Sequence, residues 1–216
     1  MGDRGDRRAE QKSRTRERIR ATAQALFTEH GYEAVTIVHV AADARVSVQT
    51  VFNHFTGKEE LFFAGRTGWV DDPARAVRER AAGEGPTAAL RSYFAARVAG
   101  YARTAGTAEH RALVAVLTGS PALLAHERSL HEDAVDRLGA ALGEAWECSG
   151  RSAVRCHVAA SVWLAAVRAI LLDLRRGPPP PGDEDAVRAA VALTERVLGD
   201  LDTGLSIAGA RAGLAA

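Results

Sequence analysis

The chain has 216 residues, 47% of them apolar, with a net charge of +1 and two cysteines. That is enough for one large domain or two small ones with a packed core. It excludes a disulfide framework, and the weak net charge excludes a nonspecific basic coat for nucleic acid. The strong helix formers Ala, Leu and Arg dominate and long alternating patterns are absent, so the sequence predicts an all-α protein. The charge is uneven: residues 1–58 carry 10 Lys/Arg against 7 Asp/Glu, a net of +3, and residues 59–216 carry 18 against 20, a net of −2. The N-terminus is charged and has no apolar signal core. The longest apolar stretch, Val158–Leu172, has 15 residues and contains Arg168, which reads as a buried helix and not a membrane span. A cytoplasmic protein is expected, with Cys148 and Cys156 as reduced thiols.

Residues 1–12 are polar and aperiodic and are expected as a disordered basic arm. A first helix follows over Ser13–His30. Ile19, Ala23, Leu26 and Phe27 form its apolar stripe, Arg14, Arg16, Arg18 and Arg20 its polar side, and Gly31 its stop. Thr36 is the N-cap of the next helix, with Val35 and Val40 as a hydrophobic staple and Ile37, Val40, Ala41 and Ala44 at helical spacing. His39 is expected on its outer, solvated side. Arg45-Val46 links to a second N-cap, Ser47, and a helix over Val48–His54 with Val51 and Phe55 facing inward. Thr56 and Glu59 have capping-box spacing and open another helix. Two capped helices joined by so short a link form a helix-turn-helix, whose second helix enters the major groove of DNA.

This stretch resembles the N-terminal domain of the tetracycline-repressor (TetR) family of transcription regulators. The resemblance rests on Gly31-Tyr32, Thr36, Val40-Ala41, Ala44, Val46-Ser47, Thr50, Val51-Phe52, His54-Phe55 and Lys58-Glu59-Glu60-Leu61, and covers roughly residues 14–65. Two positions depart from the family pattern. Arg45 stands where the family often has Gly at the turn, and Phe52 where it usually has Tyr, so one phosphate-binding hydroxyl is missing. The resemblance implies a homodimer on a palindromic operator and a helical C-terminal body that dimerises through its last two helices and holds a small-molecule effector. Repression is the family default.

Beyond Lys58, a helix starting near Gly57 carries Leu61, Phe62 and Trp69 and is expected to break at Asp71-Asp72-Pro73. Helices follow over Ala74–Ala82, Thr87–Thr104, Glu109–Leu117 and Ala122–Cys148. The last two are Arg151–Arg176, apolar almost all round, and Asp185–Leu201, with one apolar stripe. Gly177–Gly182, with four prolines, connects them, and Asp183, Glu184 and Asp185 suit the positive end of the final helix. The domains are expected as the arm 1–12, a helix-turn-helix domain 13–59, an effector and dimerisation domain 60–202 and a flexible tail 203–216.

The DNA-contacting set is Thr36, Ser47, Val48, Gln49, Thr50, Phe52, Asn53, His54 and Lys58. Gln49 and Asn53 are the base readers, since an amide pairs bidentately with adenine; Thr36, Ser47 and Lys58 suit phosphates. His54 is included because it matches a DNA-contact position of the family. Trp69, Tyr93, Phe94, Tyr101, Trp163 and Arg168 are the candidates for a ligand cavity, against the alternative that aromatics at helical spacing are core. Arg168, read as buried, needs an acidic partner or a ligand carboxylate. Val158, Val162, Val187, Val191, Thr194 and Leu198 are the expected dimer interface. No catalytic, cofactor or metal site is expected. Glu127 and His131 share a helix face without a third ligand, Ser120 lacks the second Gly of a nucleophile elbow, and no phosphate-binding glycine loop occurs. A DNA-binding regulator governed by a protein partner is the alternative; an enzyme has no constellation to rest on.

Overall fold

The computed structural model describes residues 3–147 and 151–213, and the side chains of 7–147 and 153–204. Ten α-helices and no strand occur among the described residues, so the fold is all-α. They are α1 (Asp3–His30), α2 (Ile37–Asp43), α3 (Val48–Phe52), α4 (Lys58–Phe63), α5 (Gly68–Arg78), α6 (Pro86–Ala105), α7 (Ala108–Thr118), α8 (Pro121–Ala145), α9 (Arg151–Arg176) and α10 (Glu184–Gly213). Cys148 and residues 214–216 of the expected tail lie outside the described residues.

The chain forms two compact units: Met1–Thr67 with Ala112–Glu127, and Gly68–Arg111 with Arg128–Ala216. The first boundary falls at Thr67, beyond the expected residue 59, because α4 buries Leu61, Phe62 and Phe63 and packs against α1.

In unit 1, Ile19, Ala23 and Phe27 recur every four residues on α1 and are buried, so one stripe of the helix faces the core. Val40, Ala41 and Ala44 from α2 and Val51 and Phe55 from the α3 region complete that core. The Gln24 amide donates to the carbonyls of Leu61, Phe62 and Ala64, so a side chain of α1 serves the free carbonyls at the end of α4. Ser120 is also buried here: its hydroxyl donates to Glu33 at 2.6 Å and accepts from the Leu123 N–H, capping α8.

Arg45 resolves the first departure from the family pattern. It holds the left-handed conformation, φ 54, and its N–H bonds Ala42 while the Val46 N–H bonds Ala41. These bonds close α2 in a Schellman motif whose C′ residue would ordinarily be glycine. Arg45→Gly is therefore expected to stabilise the protein by about 1 kcal/mol, read as a higher urea midpoint. An unchanged midpoint would mean that the turn carries no strain.

Unit 2 is built on α6, which packs against α5, α9 and α10. Leu90, Phe94 and Val98 of α6 meet Val70, Ala74 and Val77 of α5, Leu138 and Leu142 of α8, Trp163 and Val167 of α9, and Val187 and Leu198 of α10 in one core.

Several helix limits differ from the sequence expectation. α1 starts at Asp3, so the residues read as an arm are helical from there, with Glu10 and Arg14 paired one turn apart. The break expected at Asp71–Pro73 falls instead between α4 and α5, where Gly65 takes φ 76. Pro73 lies inside α5 and is buried. It is the sixth of eleven residues, so α5 lacks the hydrogen bond that this position would donate to the Trp69 carbonyl. α3 stops at Phe52, two residues early, with Asn53 as its C-cap. α10 continues past Leu201 to Gly213.

A stretch of α9, Ala153–Arg176, is long and apolar enough to cross a membrane by length and composition, more than the 15-residue reading allowed. A third of it is buried within the protein. Its inward residues, among them Cys156, Ala160, Trp163 and Leu164, pack into the unit 2 core as those of a core helix do.

Candidate nucleic-acid interface

Thr36 caps α2 by accepting from the His39 N–H at 3.2 Å, and His39 Nδ1 accepts from the Thr36 N–H. His39 thus closes a capping box and is not merely solvated. Ser47 caps α3 by accepting from the Thr50 N–H at 3.0 Å, and the two hydroxyls lie 2.8 Å apart. The second expected box closes differently. Glu60, not Glu59, accepts from the Thr56 N–H and hydroxyl, and Gly57 is the N-cap of α4.

The outward side of α3 carries three exposed residues. The Gln49 amide donates to the Asn53 carbonyl oxygen at 3.1 Å. This bond lines up the two amides and leaves the Gln49 oxygen and an Asn53 N–H for a partner. Phe52, between them in sequence, is 49% exposed. A surface aromatic there suits contact with a thymine methyl in place of the phosphate bond that a Tyr would make.

Two cations brace unit 1 around the helix-turn-helix. Arg16 of α1 donates to the His54 carbonyl, pairs with Glu60 at 3.0 Å and lies 4.1 Å from the centre of the Phe55 ring. Lys58 donates to the carbonyls of Tyr32 and Val35 at 2.7 and 3.0 Å, with its ammonium 3.9 Å from the centre of the Tyr32 ring. Lys58, expected on a phosphate, therefore first fastens the loop after α1 to α4. Among the arginines of α1, Arg14 and Arg20 pair with Glu10 and Glu17. Arg18 is exposed and has no ion pair among the described residues.

His54 is half-buried, its Nδ1 is enclosed without a hydrogen bond, and its pKa lies below the ordinary 6.5. Burial is the main cause, with Lys12 and Arg16 adding repulsion. The ring is thus a neutral donor or acceptor at pH 7 and not a cation. Burial of Glu60 works to raise its pKa, but its bonds from Thr56 and Arg16 hold it below the ordinary carboxylate value.

His110 in unit 2 is lowered likewise, by burial and by Arg175. Both histidines are depressed in the folded state, so their contribution is complete above about pH 6.5 and is lost as pH falls through the folded values. The melting temperature is expected to drop between pH 7.5 and 5.5, and a His54→Gln/His110→Gln double variant to show a flatter profile. Equal slopes would remove the two histidines as the cause.

Of the six residues expected around a ligand, Phe94 and Trp163 are each 1% exposed and belong to the unit 2 core. Trp69 is half-buried, beside His131 at 6.1 Å and Arg97 at 6.0 Å. Tyr93 is half-buried, with its ring edge-on to Phe94 and its pKa raised mainly by burial. Arg168 is only half-buried and has no ion pair among the described residues, so the buried-charge argument for it fails. Tyr101 is half-buried with its hydroxyl enclosed. None of the six lines the two grooves seen along α8. One groove, of about 570 Å³, faces α5, and the other, of about 750 Å³, faces α9. No group of three His, Cys, Asp or Glu is placed to hold a metal among the described residues.

The expected dimer residues divide. Val187, Thr194 and Leu198 are 4%, 0% and 0% exposed within the single chain, so they face their own core and not a partner. Val162 and Val191 are half-buried. Val158 is 48% exposed, with Val154 at 66% one turn before it and Leu193 at 43% on α10.

Within unit 1, α1, α2 and α3 form a helix-turn-helix of the DNA-binding class, with α2 and α3 each capped from within. Its residues 19–64 match the model for bacterial regulatory proteins of the tetR family. A curated relative, the HTH-type transcriptional regulator TcmR of Streptomyces glaucescens, is 30% identical over 129 residues, 58% of this chain and 57% of that protein. The match thus spans little more than half of the relative's length. The fold is that of NalD, the secondary repressor of the MexAB-OprM multidrug efflux pump in Pseudomonas aeruginosa, with a TM-score of 0.55 at 19% identity over 87% of this chain and 96% of that one. A SmeT–triclosan complex gives a TM-score of 0.53 at 20% identity over 82% and 90%. A tetR-family regulator from Streptomyces coelicolor gives 0.52 at 19% over 94% and 86%. The chain is thus similar to the tetR family in its DNA-binding segment, residues 19–64, and shares the fold of these regulators.

Proposed function

We propose that this protein is a cytoplasmic, homodimeric transcription repressor that leaves a palindromic operator when a small molecule binds its helical body. The observation that carries the DNA half is the α3 surface: an aligned Gln49–Asn53 amide pair and an exposed Phe52 on a helix whose back is fixed by Arg16. In this reading Gln49 and Asn53 meet an adenine edge, and Thr36, Ser47, Thr50 and His54 meet backbone near it. Val48 supports the helix at its first turn.

The dimer half is supported by α9. An apolar helix that is only a third buried in its own chain, with Val154 and Val158 open, needs a cover. A second copy of α9 and α10 supplies it, with Val158, Val162 and Val191 at the seam. Effector control is supported by the family and by the triclosan bound to one fold relative. Control by a protein partner is the alternative, and a ligand screen separates the two.

Two substitutions test the DNA reading. Gln49→Ala is expected to relax preference at one base position at a cost of about 1–3 kcal/mol, leaving stability unchanged. Lys58→Ala is expected to weaken all sequences alike and to lower stability by about 2 kcal/mol, because two carbonyls lose a charged donor. The readouts are base-by-base binding profiles and urea melts. A Gln49→Ala profile identical to wild type removes Gln49 from the readers.

A further inference from the structure

Tyr101 and His110 bring two enclosed polar atoms together in unit 2. Tyr101 of α6 and His110 of α7 stand edge to face, with ring centres 4.7 Å apart and planes at 88°. The Tyr101 hydroxyl and His110 Nε2 are both shut off from solvent, and neither has a hydrogen-bond partner. A native protein rarely leaves such a group unmet, because its desolvation is uncompensated.

The surroundings are rigid and positive. The α6–α7 turn is pressed onto the proline connector so tightly that a Cβ on Gly106 would lie 2.0 Å from the Pro179 oxygen. Thr107 caps α7, accepting from the His110 N–H at 3.2 Å, which fixes the helix start that bears the imidazole. The Arg175 guanidinium, from the end of α9, acts on His110 as a neighbouring positive charge. A hydroxyl, a ring N–H and a nearby guanidinium all favour the same partner: an oxygen that accepts hydrogen bonds and carries negative charge.

We propose that Tyr101 and His110 are the polar anchor of the effector site and take the carboxylate of a small organic acid, with Arg175 supplying the charge. This rests on the effector reading above and adds the chemical class of the effector. The Tyr101 hydroxyl and the His110 Nε2–H donate to the carboxylate oxygens. Nothing covalent is involved.

The test uses the full-length protein and two matched probe pairs, benzoate against benzamide and 1-naphthoate against 1-naphthamide, in calorimetric titrations. The carboxylates are expected to bind and the amides to bind about tenfold more weakly or not at all. Tyr101→Phe and His110→Leu should each cost the carboxylates about tenfold or more, whereas His110→Gln, which keeps an N–H near the same place, should retain most of the affinity. Without ligand, Tyr101→Phe should melt at the wild-type temperature or above, since it removes a hydroxyl that has no partner. The proposal is overturned if no carboxylate binds, if acids and amides bind alike, or if the variants bind as wild type does. It is also overturned if Tyr101→Phe alone melts several degrees lower, which would show that the hydroxyl is already satisfied. Operator release by a neutral compound, unaffected by these variants, would keep effector control and remove this anchor. Carboxylate binding that leaves the DNA complex intact would keep the anchor and remove its regulatory role.

Discussion

Val158→Glu is expected to convert the protein to a monomer at micromolar concentration and to lower operator affinity by roughly a hundredfold or more, with helical content unchanged. Val158 is 48% exposed in the single chain, so a charge there costs the protomer little. In a two-fold interface it counts twice, with two carboxylates brought into one apolar seam. Leu198→Glu is the necessary contrast. Leu198 is wholly buried in the chain's own core, and the same charge there is expected to unfold unit 2. Sedimentation with circular dichroism separates the cases. If Val158→Glu remains a dimer, the copies meet elsewhere, and the groove between α8 and α9 is the next surface to probe.

Gly106→Ala should be among the most damaging single-methyl changes in the chain. Gly106 follows α6 with an ordinary φ of −82, so conformational freedom is not what the position needs. It needs space: an added Cβ would meet the Pro179 oxygen at 2.0 Å and Pro181 Cδ at 3.1 Å. Neither neighbour is a flexible side-chain end, and four consecutive prolines stiffen the segment. A loss of about 3 kcal/mol or more is expected, as for overpacking at a site that cannot yield. Gly100, six residues earlier in α6, has nothing within 4 Å of its missing Cβ. There the same change should stabilise by about 0.5–1 kcal/mol, since alanine is the better helix residue. Urea midpoints for the two variants should move in opposite directions. Two equal shifts would refute the close approach to the connector.

The sequence was most legible where the determinants are local. The Thr36 and Ser47 caps depend on residues three positions away, and the structure has both. Asp183 caps α10 through the Ala186 N–H, a bond of the same range. Periodicity also identified the apolar stripe of α10, but it does not say which neighbour covers a stripe. By pattern alone Val187, Thr194 and Leu198 fit a second copy, and α6 of the same chain takes them. The cation braces around the helix-turn-helix were illegible for a related reason. Arg16 reaches His54 and Glu60 across 38 and 44 positions, and Lys58 reaches Tyr32 across 26. No pattern in a single sequence marks a cation as fastened inward and not free for phosphate. The candidate effector residues were the least readable, since Phe94 and Trp163 differ from Trp69 and Tyr101 only in how far the fold encloses them. His110 offered no signal beyond its type.

The central claim is that α3 reads a defined sequence in two symmetric half-sites. Selection from random duplexes with the full-length protein tests it most directly. Enrichment of an inverted repeat with an adenine at the position lost by Gln49→Ala is expected, with binding that weakens steeply with salt. Selection that enriches no symmetric site, with binding indifferent to sequence, would contradict it.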